Sequence, residues 1–452
     1  MQSFAEALGV RQGDVVVFSG AGGKTTALFR LGEELAAAGL RVVSTTTTRI
    51  GQDELRLAPG YLAIGQPDRL PPDLPSLLAR YRHLFVFKET APPNKARGFD
   101  PAWVDEMLAS WPGLDVLLVE ADGARRQPLK APQPHEPAMP ASTTLAVPVL
   151  GLSALGQPLD EEHAYNSAQI AQQTGHALGA PVTPEVLAAV LGDPAMGLKD
   201  IPPGARVVPL LNQLTAGTLG AARDIGRRLL AAQPRISRVV AGALGEEGPE
   251  IEAYRRVTGV VLAAGLSARM GEAKLLLPWS EGSTIIRETV AGALAAGLPE
   301  LIVVTGAWQA EVEAQLVGLP VRTVHNPNYL EGEMISSLQA ALRAASSESE
   351  AVLVFLGDQP AIEPPAVQAV LTAYAQGCGQ AVMPAYQGRR GHPVLFDRAL
   401  WDGLLALPPG RAPRDLLRER EAGVCEVPVD TPSVLLDIDT PDDYARAKPQ
   451  SS

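Results

Sequence analysis

Short apolar runs alternate along the chain with longer stretches that are rich in alanine and leucine. The apolar runs predict buried strands at Asp14–Phe18, Arg41–Ser44, Leu84–Phe87, Val116–Glu120, Val207–Leu211, Val239–Ala241, Val257–Ala263, Leu301–Val304, Val321–His325 and Ala351–Leu356. The other stretches predict helices at Thr25–Ala38, Pro184–Leu191, Gly220–Ala232, Thr284–Ala296, Val312–Val317, Ser337–Ala345 and Pro365–Gln376. Strands that alternate with helices in this way are typical of α/β domains with largely parallel sheets.

Length and charge narrow the class of protein. The chain has 452 residues, enough for two to four domains, and its net charge is −12. An acidic chain has no general affinity for nucleic acid or for an anionic membrane, so neither is an expected partner. The two cysteines show neither metal-type spacing nor a disulfide framework, which fits a reducing compartment. Because no signal peptide or long apolar run is present, we expect a cytoplasmic protein.

Two strand–loop–helix openings, at 14–35 and 257–290, each stand at the head of a region long enough for its own sheet. Between them, the segment Gly245–Glu250 is polar and contains glycine and proline, as linkers do. We therefore predict two domains, 1–250 and 256–446.

The first opening predicts a phosphate-binding loop. An apolar strand runs into a glycine-rich turn and then a helix, so backbone N–H groups and the helix dipole point at one spot. Lys24 would reach the β- and γ-phosphates, and the Thr25 hydroxyl would bind Mg²⁺. Phe18 stands where the strict Walker A pattern needs glycine, so the loop has a shorter form. Its candidate residues are Gly20, Gly22, Gly23, Lys24, Thr25 and Thr26.

Polar residues after two further strands are candidates for the same site. Glu120 and Asp122 end the strand Val116–Glu120, where α/β sheets bind ligands, and either could ligate the metal. The run Thr45–Arg49 is either a switch or substrate loop or a β-branched strand end. Arg125, Arg126 and Lys130 either hold a second anion or form a solvated basic turn.

The second opening, Val260–Pro278, is neither a dinucleotide fingerprint nor a Walker A loop. Its glycine loop carries Arg269 and Lys274, and two cations at a flexible loop suit a triphosphate that loses pyrophosphate. We therefore predict a nucleotide site formed by Leu262, Ala263, Ala264, Gly265 and Gly271.

The N-terminal half resembles the P-loop accessory proteins of selenium-dependent molybdenum hydroxylases. The resemblance covers about 1–245, through the short P-loop, the threonine run, Val119–Ala124 and Pro128–Lys130. It implies a P-loop NTPase-like fold, ATP or GTP at the loop, and an apo molybdenum hydroxylase as partner. Asn212 stands where such proteins often begin a base-reading Asn-Lys element. Gln213 replaces the lysine, which leaves the base open.

The C-terminal half, about 257–446, resembles the MobA-like nucleotidyltransferases. Leu-Ala-Ala-Gly at Leu262–Gly265 and Gly-Asp-Gln-Pro at Gly357–Pro360 are similar to the cytidylyltransferase branch. The resemblance implies a Rossmann-like fold, CTP as substrate, a molybdopterin-type acceptor and Mg²⁺ on Asp358 and Asp439. It also implies base-side contacts at Ser337 and substrate contacts at His392. The structural alternative to the base-side role is a helix N-cap at Ser336. An N-cap at Thr440, with Pro441 at the first helical position, can hold together with metal binding by Asp439, because different residues do each job.

Other functions remain open at this point. The C-terminal half could transfer a nucleotide to another small phosphate, or reduce a substrate with NAD(P)H as some relatives of this branch do. The chain could also be a non-catalytic carrier that hands a cofactor to an apo-hydroxylase, with its P-loop as a nucleotide switch. The intact Arg269, Lys274 and Asp358 favour triphosphate chemistry.

Overall fold

A computed structural model of the chain describes residues 2–65, 72–92, 94–111, 113–245, 251–267, 270–331, 333–419 and 423–449. It divides into two compact units, Met1–Tyr254 and Arg255–Ser452, called here the N-terminal and C-terminal units. Of the predicted linker, 246–250 lie outside the described residues. No helix among the described residues is long and apolar enough to cross a membrane.

The N-terminal unit is built on a largely parallel sheet with helices packed against it. Its strands are β1 Val15–Gly20, β2 Val42–Thr46, β3 Arg49–Gly51, β4 Gly60–Ala63, β5 His83–Phe87, β6 Glu89–Ala91, β7 Lys95–Arg97, β8 Val116–Glu120, β9 Leu129–Lys130, β10 Leu145–Gly151, β11 Ala164–Tyr165, β12 Arg206–Val207, β13 Leu210–Asn212, β14 Arg238–Gly242 and β15 Glu252–Arg255. Its helices are α1 Phe4–Leu8, α2 Lys24–Ala37, α3 Leu74–Tyr81, α4 Pro101–Ser110, α5 Ser167–Thr174, α6 Pro184–Gly192 and α7 Leu219–Ala232.

The order of the strands brings the glycine loop and the two acids together. The main sheet runs β15-β14-β13-β10-β1-β8-β2-β5-β4, with β12 also paired to β10. Strand β1 lies between β10 and β8 and is parallel to both. The register pairs Phe18 with Glu120, so the loop after β1 and the acids after β8 emerge side by side. Ligands bind at this carboxyl edge in open α/β sheets.

The apolar pattern did not reveal β10, although this strand is central. Its fourth residue, Pro148, lacks an N–H and by that criterion argues for an edge strand. In the structure, β12 pairs with the start of β10 and β13 pairs with its end. The ladder on that side is interrupted between Val207 and Leu210, opposite Pro148, and so the proline is tolerated there.

The C-terminal unit has a mixed sheet. Its strands are β16 Val257–Ala263, β17 Glu300–Thr305, β18 Arg322–His325, β19 Ala351–Leu356, β20 Ala381–Tyr386, β21 Arg389–Arg390, β22 Val394–Asp397 and β23 Val424–Pro428. Its helices are α8 Ile285–Leu294, α9 Gln309–Gln315, α10 Glu333–Ala344, α11 Pro364–Ala375, α12 Trp401–Leu405, α13 Pro413–Glu419 and α14 Pro441–Ala447.

Strand β16 is the centre of this second sheet, whose order is β18-β17-β16-β19-β22-β20-β21. It is parallel to β17 and β19, whereas β22 is antiparallel to β19. Leu262 pairs with Leu356, which sets the loop after β16 beside Gly357 and Asp358. The predicted α/β architecture with parallel-rich sheets is therefore confirmed in both units.

The expectation about the cysteines is wrong. Cys378 follows α11 and Cys425 lies on β23, and the structure joins them in a disulfide with a Cα–Cα distance of 5.7 Å. Sequence spacing alone cannot reveal this pair, because 47 residues separate the two cysteines and the fold brings them together. The cysteines consequently give no support to a reducing compartment.

Candidate nucleotide-binding sites

The glycine loop after β1 is held tightly against the end of β10. Gly20 and Gly22 have φ values of +93° and +81°, a region that favours glycine. A Cβ on Gly22 would lie 2.1 Å from the backbone nitrogen of Gly151, so no larger residue fits there. The amide side chain of Asn212 donates to the Gly22 carbonyl at 2.9 Å. The loop is thus fixed by packing before any ligand binds.

Lys24 opens helix α2 and is buried beneath the loop. Its Nζ donates to the Gly20 carbonyl at 2.7 Å and lies 3.3 Å from Asp122 and 3.8 Å from Glu120. Burial disfavours the ammonium form, but the two carboxylates outweigh that effect and raise the pKa of Lys24. The lysine therefore stays charged where phosphates would meet the loop.

The structure gives the two acids of β8 different surroundings. Glu120 lines the cavity beside the loop and accepts a hydrogen bond from the Thr25 hydroxyl at 2.9 Å. Burial raises its pKa, and the charge of Lys24 opposes the rise. Asp122 is 1% exposed, accepts from the Gly20 N–H at 3.1 Å and lies 2.9 Å from Lys130. Glu120 thus faces the ligand side, while Asp122 anchors the loop from below.

Lys130 fits neither interpretation offered by the sequence. Its side chain is 1% exposed, and its Nζ lies between Asp122 and Glu136, 2.7 Å from the latter. A buried lysine with two carboxylates is neither a solvated turn nor free to hold an anion. By contrast, Arg125 and Arg126 are exposed and line the cavity.

The threonine run holds the ends of neighbouring strands. Thr45 donates to the Val86 carbonyl and Thr46 to the Glu120 carbonyl, at 2.8 and 2.9 Å. The first part of the run is therefore a structural strand end, as the second interpretation proposed. Arg49, which follows it, lines the cavity.

The candidate loop residues line a cavity of about 460 Å³, from Gly22 to Thr26. Gly20 lies outside it, underneath the loop. Gln213 also lines this cavity, with φ +62°, and its Oε1 accepts from the Ser153 hydroxyl at 2.6 Å. Sequence reasoning gave Asn212 a base-reading role, whereas the structure uses it to hold the loop.

In the C-terminal unit, Lys274 lies between two carboxylates. Its Nζ forms an ion pair with Asp358, directly after β19, and another with Asp439 at 3.0 Å. Burial lowers the pKa of Lys274, but Asp358 and Asp439 outweigh that effect and raise it above its usual value. The backbone N–H of Ile438 donates to the Asp358 carbonyl at 3.2 Å, which joins the two acidic segments.

A cavity of about 320 Å³ opens beside this lysine. The predicted residues that line it are Leu262, Ala263, Ala264, Gly265, Lys274, Ser337 and Asp358. The rest of the lining was not among the predicted site residues: Ser267, Leu275, Tyr329, Met334 and Leu356. Gly271 has a φ of +76° and does not line the cavity. Arg269 lies outside the described residues, so its role stays a prediction.

One further acid and an amide extend the polar cluster around Asp358. The Gln359 amide donates to Asp437, a residue to which sequence reasoning gave no role. Burial raises the pKa of Asp437, and the negative charges of Asp358 and Asp439 raise it further. Three aspartates near one ammonium make this edge of the sheet a site that attracts cations.

Ser337 and His392 come from separate elements. Ser337 is buried on α10 and accepts from the Asn326 amide at 3.0 Å. Helix α10 begins at Glu333, so Ser336 is inside the helix and the N-cap interpretation is wrong. Burial lowers the pKa of His392 to about 4, and Asp358 partly opposes this shift, so the imidazole is neutral near pH 7.

The last helix follows the structural alternative offered by the sequence. Thr440 caps α14, accepting from the Asp443 N–H at 3.2 Å, and Pro441 takes the first helical position. Asp439, directly before the cap, faces Lys274. The cap and the polar site therefore use adjacent residues, as the sequence allowed.

The chain thus holds an α/β unit with a glycine-rich loop beside buried acids, followed by an α/β unit with a lysine–aspartate cluster. The family model described as "YqeC protein" matches residues 16–168, and the model of the MobA-like NTP transferase domain matches 259–424. The chain belongs to both families: its N-terminal part is a YqeC-like domain and its C-terminal part is a MobA-like nucleotidyltransferase. Both resemblances inferred from the sequence are confirmed.

Individual relatives match the two parts separately. The uncharacterized protein YqeC of Escherichia coli is 35% identical over 202 residues, which cover 44% of this chain and 76% of that protein. The molybdenum cofactor cytidylyltransferase of Escherichia coli is 30% identical over 190 residues, 42% of this chain and 94% of that protein. The nicotine blue oxidoreductase of Paenarthrobacter nicotinovorans is 33% identical over 193 residues, 41% of this chain and 92% of that protein. The C-terminal part is thus about equally identical to a cytidylyltransferase and to an oxidoreductase, whose names denote two different reactions.

Proposed function

We propose that the C-terminal unit is a molybdenum cofactor cytidylyltransferase, which transfers CMP from CTP to molybdopterin and releases pyrophosphate. The observation that carries the proposal is the convergence of Lys274, Asp358 and Asp439 beside the loop Leu262–Gly265. The similarity to the Escherichia coli cytidylyltransferase supports the choice of CTP and of a molybdopterin-type acceptor.

The residues present fit a divalent metal ion. Asp358 and Asp439 direct carboxylate oxygens at one cationic nitrogen, and Mg²⁺ is often held by one or two carboxylates together with substrate phosphates. In this position Mg²⁺ would neutralise charge on the phosphates. Asp358 and Asp439 would hold it, and the neighbouring Asp437 accepts a hydrogen bond from the Gln359 amide.

The transfer needs no general base from the protein. A terminal phosphate has a second pKa of about 6 and is ionised at neutral pH. Its oxygen attacks the α-phosphorus of CTP, and the bond to the pyrophosphate oxygen breaks. Lys274 and Arg269 stabilise the negative charge that the leaving pyrophosphate carries away. The loop Leu262–Gly265 holds the nucleotide, so positioning and charge neutralisation do the catalytic work.

For the N-terminal unit, domain 1–250, we propose Mg²⁺-dependent binding of ATP or GTP and a role in the maturation of a molybdenum hydroxylase. Gly22, Gly23 and Lys24 would bind the phosphates, and Thr25 with Glu120 would hold the metal. The burial of Asp122 among Gly20, Lys24 and Lys130 favours Glu120 as the metal-side acid. Domain 256–446 would be the transferase.

The test follows both products of the transfer. Full-length protein is incubated with Mg²⁺, molybdopterin and CTP, GTP or ATP, and pyrophosphate and the dinucleotide are measured by mass spectrometry. We expect product with CTP. In Asp358→Asn, the rate of product formation should fall by a factor of roughly one hundred or more. Asp402→Asn, at an exposed aspartate on α12, is the matched control and keeps full activity.

Other outcomes would replace the proposal. Product with GTP alone would keep the reaction class and change the base. Consumption of NADPH without pyrophosphate release would favour an oxidoreductase, the reaction named for one relative. Full activity of a folded Asp358→Asn variant would refute the assigned site. For the N-terminal unit, calorimetry with MgATP and MgGTP should show binding that is lost in Lys24→Met and retained in Lys88→Met.

A further inference from the structure

Three cations that line the cavity beside the P-loop have no carboxylate partner. Arg49, Lys95 and Arg125 all line the cavity, and among the described residues none of them forms an ion pair within 4 Å. The other lysine there, Lys24, is paired with two acids. Unpaired cations around one cavity are unexpected in a chain whose net charge is −12.

The three side chains come from two separate parts of the N-terminal unit. Arg49 is on β3 and Lys95 on β7, and these strands are antiparallel neighbours. Arg125 follows β8, and its guanidinium stacks on the Tyr165 ring at 4.9 Å from the centroid. The phenol oxygen of Tyr165 accepts from the Gln133 amide at 2.5 Å, which fixes the ring under the arginine. The cations therefore surround the cavity on different walls.

The acids that line the same cavity are already engaged. Asp53 lies 3.9 Å from Arg126, and Glu54 accepts from the Gly51 N–H at 2.9 Å. Glu120 accepts from Thr25. The lining carries five cationic side chains against these three carboxylates, and so the cavity retains a net positive charge.

We propose that Arg49, Lys95 and Arg125 bind a second, phosphorylated small molecule beside the nucleotide. The proposal rests on the nucleotide binding proposed for the P-loop, whose amides and Lys24 suffice for the nucleotide's own phosphates. Guanidinium groups bind phosphate with paired hydrogen bonds, and an ammonium adds a point charge. Arg49, Lys95 and Arg125 would select for phosphate on this second ligand.

The test titrates inorganic phosphate, followed by calorimetry at low ionic strength, into full-length protein that is saturated with a non-hydrolysable MgATP analogue, which also fills the γ-phosphate position. We expect phosphate binding to weaken roughly tenfold or more in Arg125→Gln and in Arg49→Gln, as loss of a charged hydrogen bond predicts. Affinity for the MgATP analogue stays within about twofold of the wild type. Arg80→Gln is the matched control, because Arg80 is also exposed and also stacks on a tyrosine, Tyr81, outside the cavity.

Several results would overturn the proposal. Equal weakening of the MgATP analogue and of phosphate would mean that these cations bind the nucleotide itself. Absence of phosphate binding to the wild type saturated with the analogue, or an equal loss in Arg80→Gln, would also refute the proposal. If the MgATP analogue fails to bind at all, the P-loop proposal fails, and phosphate titration of Lys24→Met then decides the second site. Binding that Arg125→Gln removes from that variant supports the site, and no binding refutes it.

Discussion

Replacing Asp122 by asparagine should destabilise the N-terminal unit by about 3 kcal/mol. The substitution keeps an oxygen for the Gly20 N–H, which Asp122 now accepts at 3.1 Å, and removes only the charge. Two ammonium groups then lose a carboxylate at 2.9 and 3.3 Å, those of Lys130 and Lys24. Both lysines are at most 4% exposed, so water cannot replace the lost partner.

The size of the effect follows from what the lysines retain. Breaking a buried ion pair by removing one partner costs about 3–5 kcal/mol. Lys130 keeps Glu136 at 2.7 Å, and Lys24 keeps Glu120 at 3.8 Å. The remaining pairs place the expected loss at the lower end of that range, about 3 kcal/mol. With an m-value of about 2–3 kcal/mol/M, the urea midpoint falls by about 1 M or more.

Urea unfolding followed by hydrogen exchange of β1 and β8 peptides reports on this unit alone. The matched control is Asp224→Asn on α7, where Asp224 also meets two cations, Arg228 at 2.7 Å and Arg227 at 3.4 Å. These pairs are exposed to solvent, so the control should lose less than about 1 kcal/mol. An Asp122→Asn protein no less stable than the Asp224→Asn protein would refute the reasoning about burial.

Three further predictions concern stability and ligand binding. Cys378→Ser, or reduction of the Cys378–Cys425 disulfide, should lower the stability of the C-terminal unit by roughly 4 kcal/mol, because the bond closes a loop of 47 residues. Urea unfolding with and without reductant measures this loss, and equal stability in the two conditions would contradict the prediction. Burial lowers the pKa of His83 to about 4 from 6.5, so the unfolded chain binds more protons between these values. Stability of the N-terminal unit should therefore fall by up to about 3 kcal/mol as pH drops from 6.5 to 4, and His83→Gln should remove that dependence. Gly22→Ala should abolish MgATP binding measured by calorimetry, since its Cβ would lie 2.1 Å from the Gly151 nitrogen; unchanged affinity would disprove the tight packing of the loop.

The strongly apolar segments were predictable because burial on both faces of a parallel sheet requires continuous apolar runs. Val116–Glu120, Val257–Ala263 and Ala351–Leu356 agree with the structure at both ends. The strands at Leu145–Gly151 and Ala381–Tyr386 were not predicted. Each contains a proline, and only the strand pairing shows that the neighbouring ladder leaves room for it in the first case.

Within the sites, local patterns indicated the chemistry and the fold assigned the partners. A strand, glycines and a following lysine predict a phosphate loop by themselves, because the backbone geometry they need is local. The pairing of Lys130 with Asp122 and Glu136 depends on the fold. Nothing in the sequence distinguishes this buried lysine from the nearby Arg125 and Arg126, which are exposed. The same limit applies to Asp437, which is recognised only by its position beside Gln359.

The sequence by itself determined the two α/β units, the two glycine loops and the residue types that suit phosphates and divalent cations. Only the tertiary structure decided which of Glu120 and Asp122 faces the cavity, because both stand at the end of the same strand and differ in what packs around them. It also decided that Lys274 meets Asp358 and Asp439, which are 84 and 165 residues away along the chain. Burial and long-range pairing arise from the packing of distant segments, and a local pattern of residues carries no record of them.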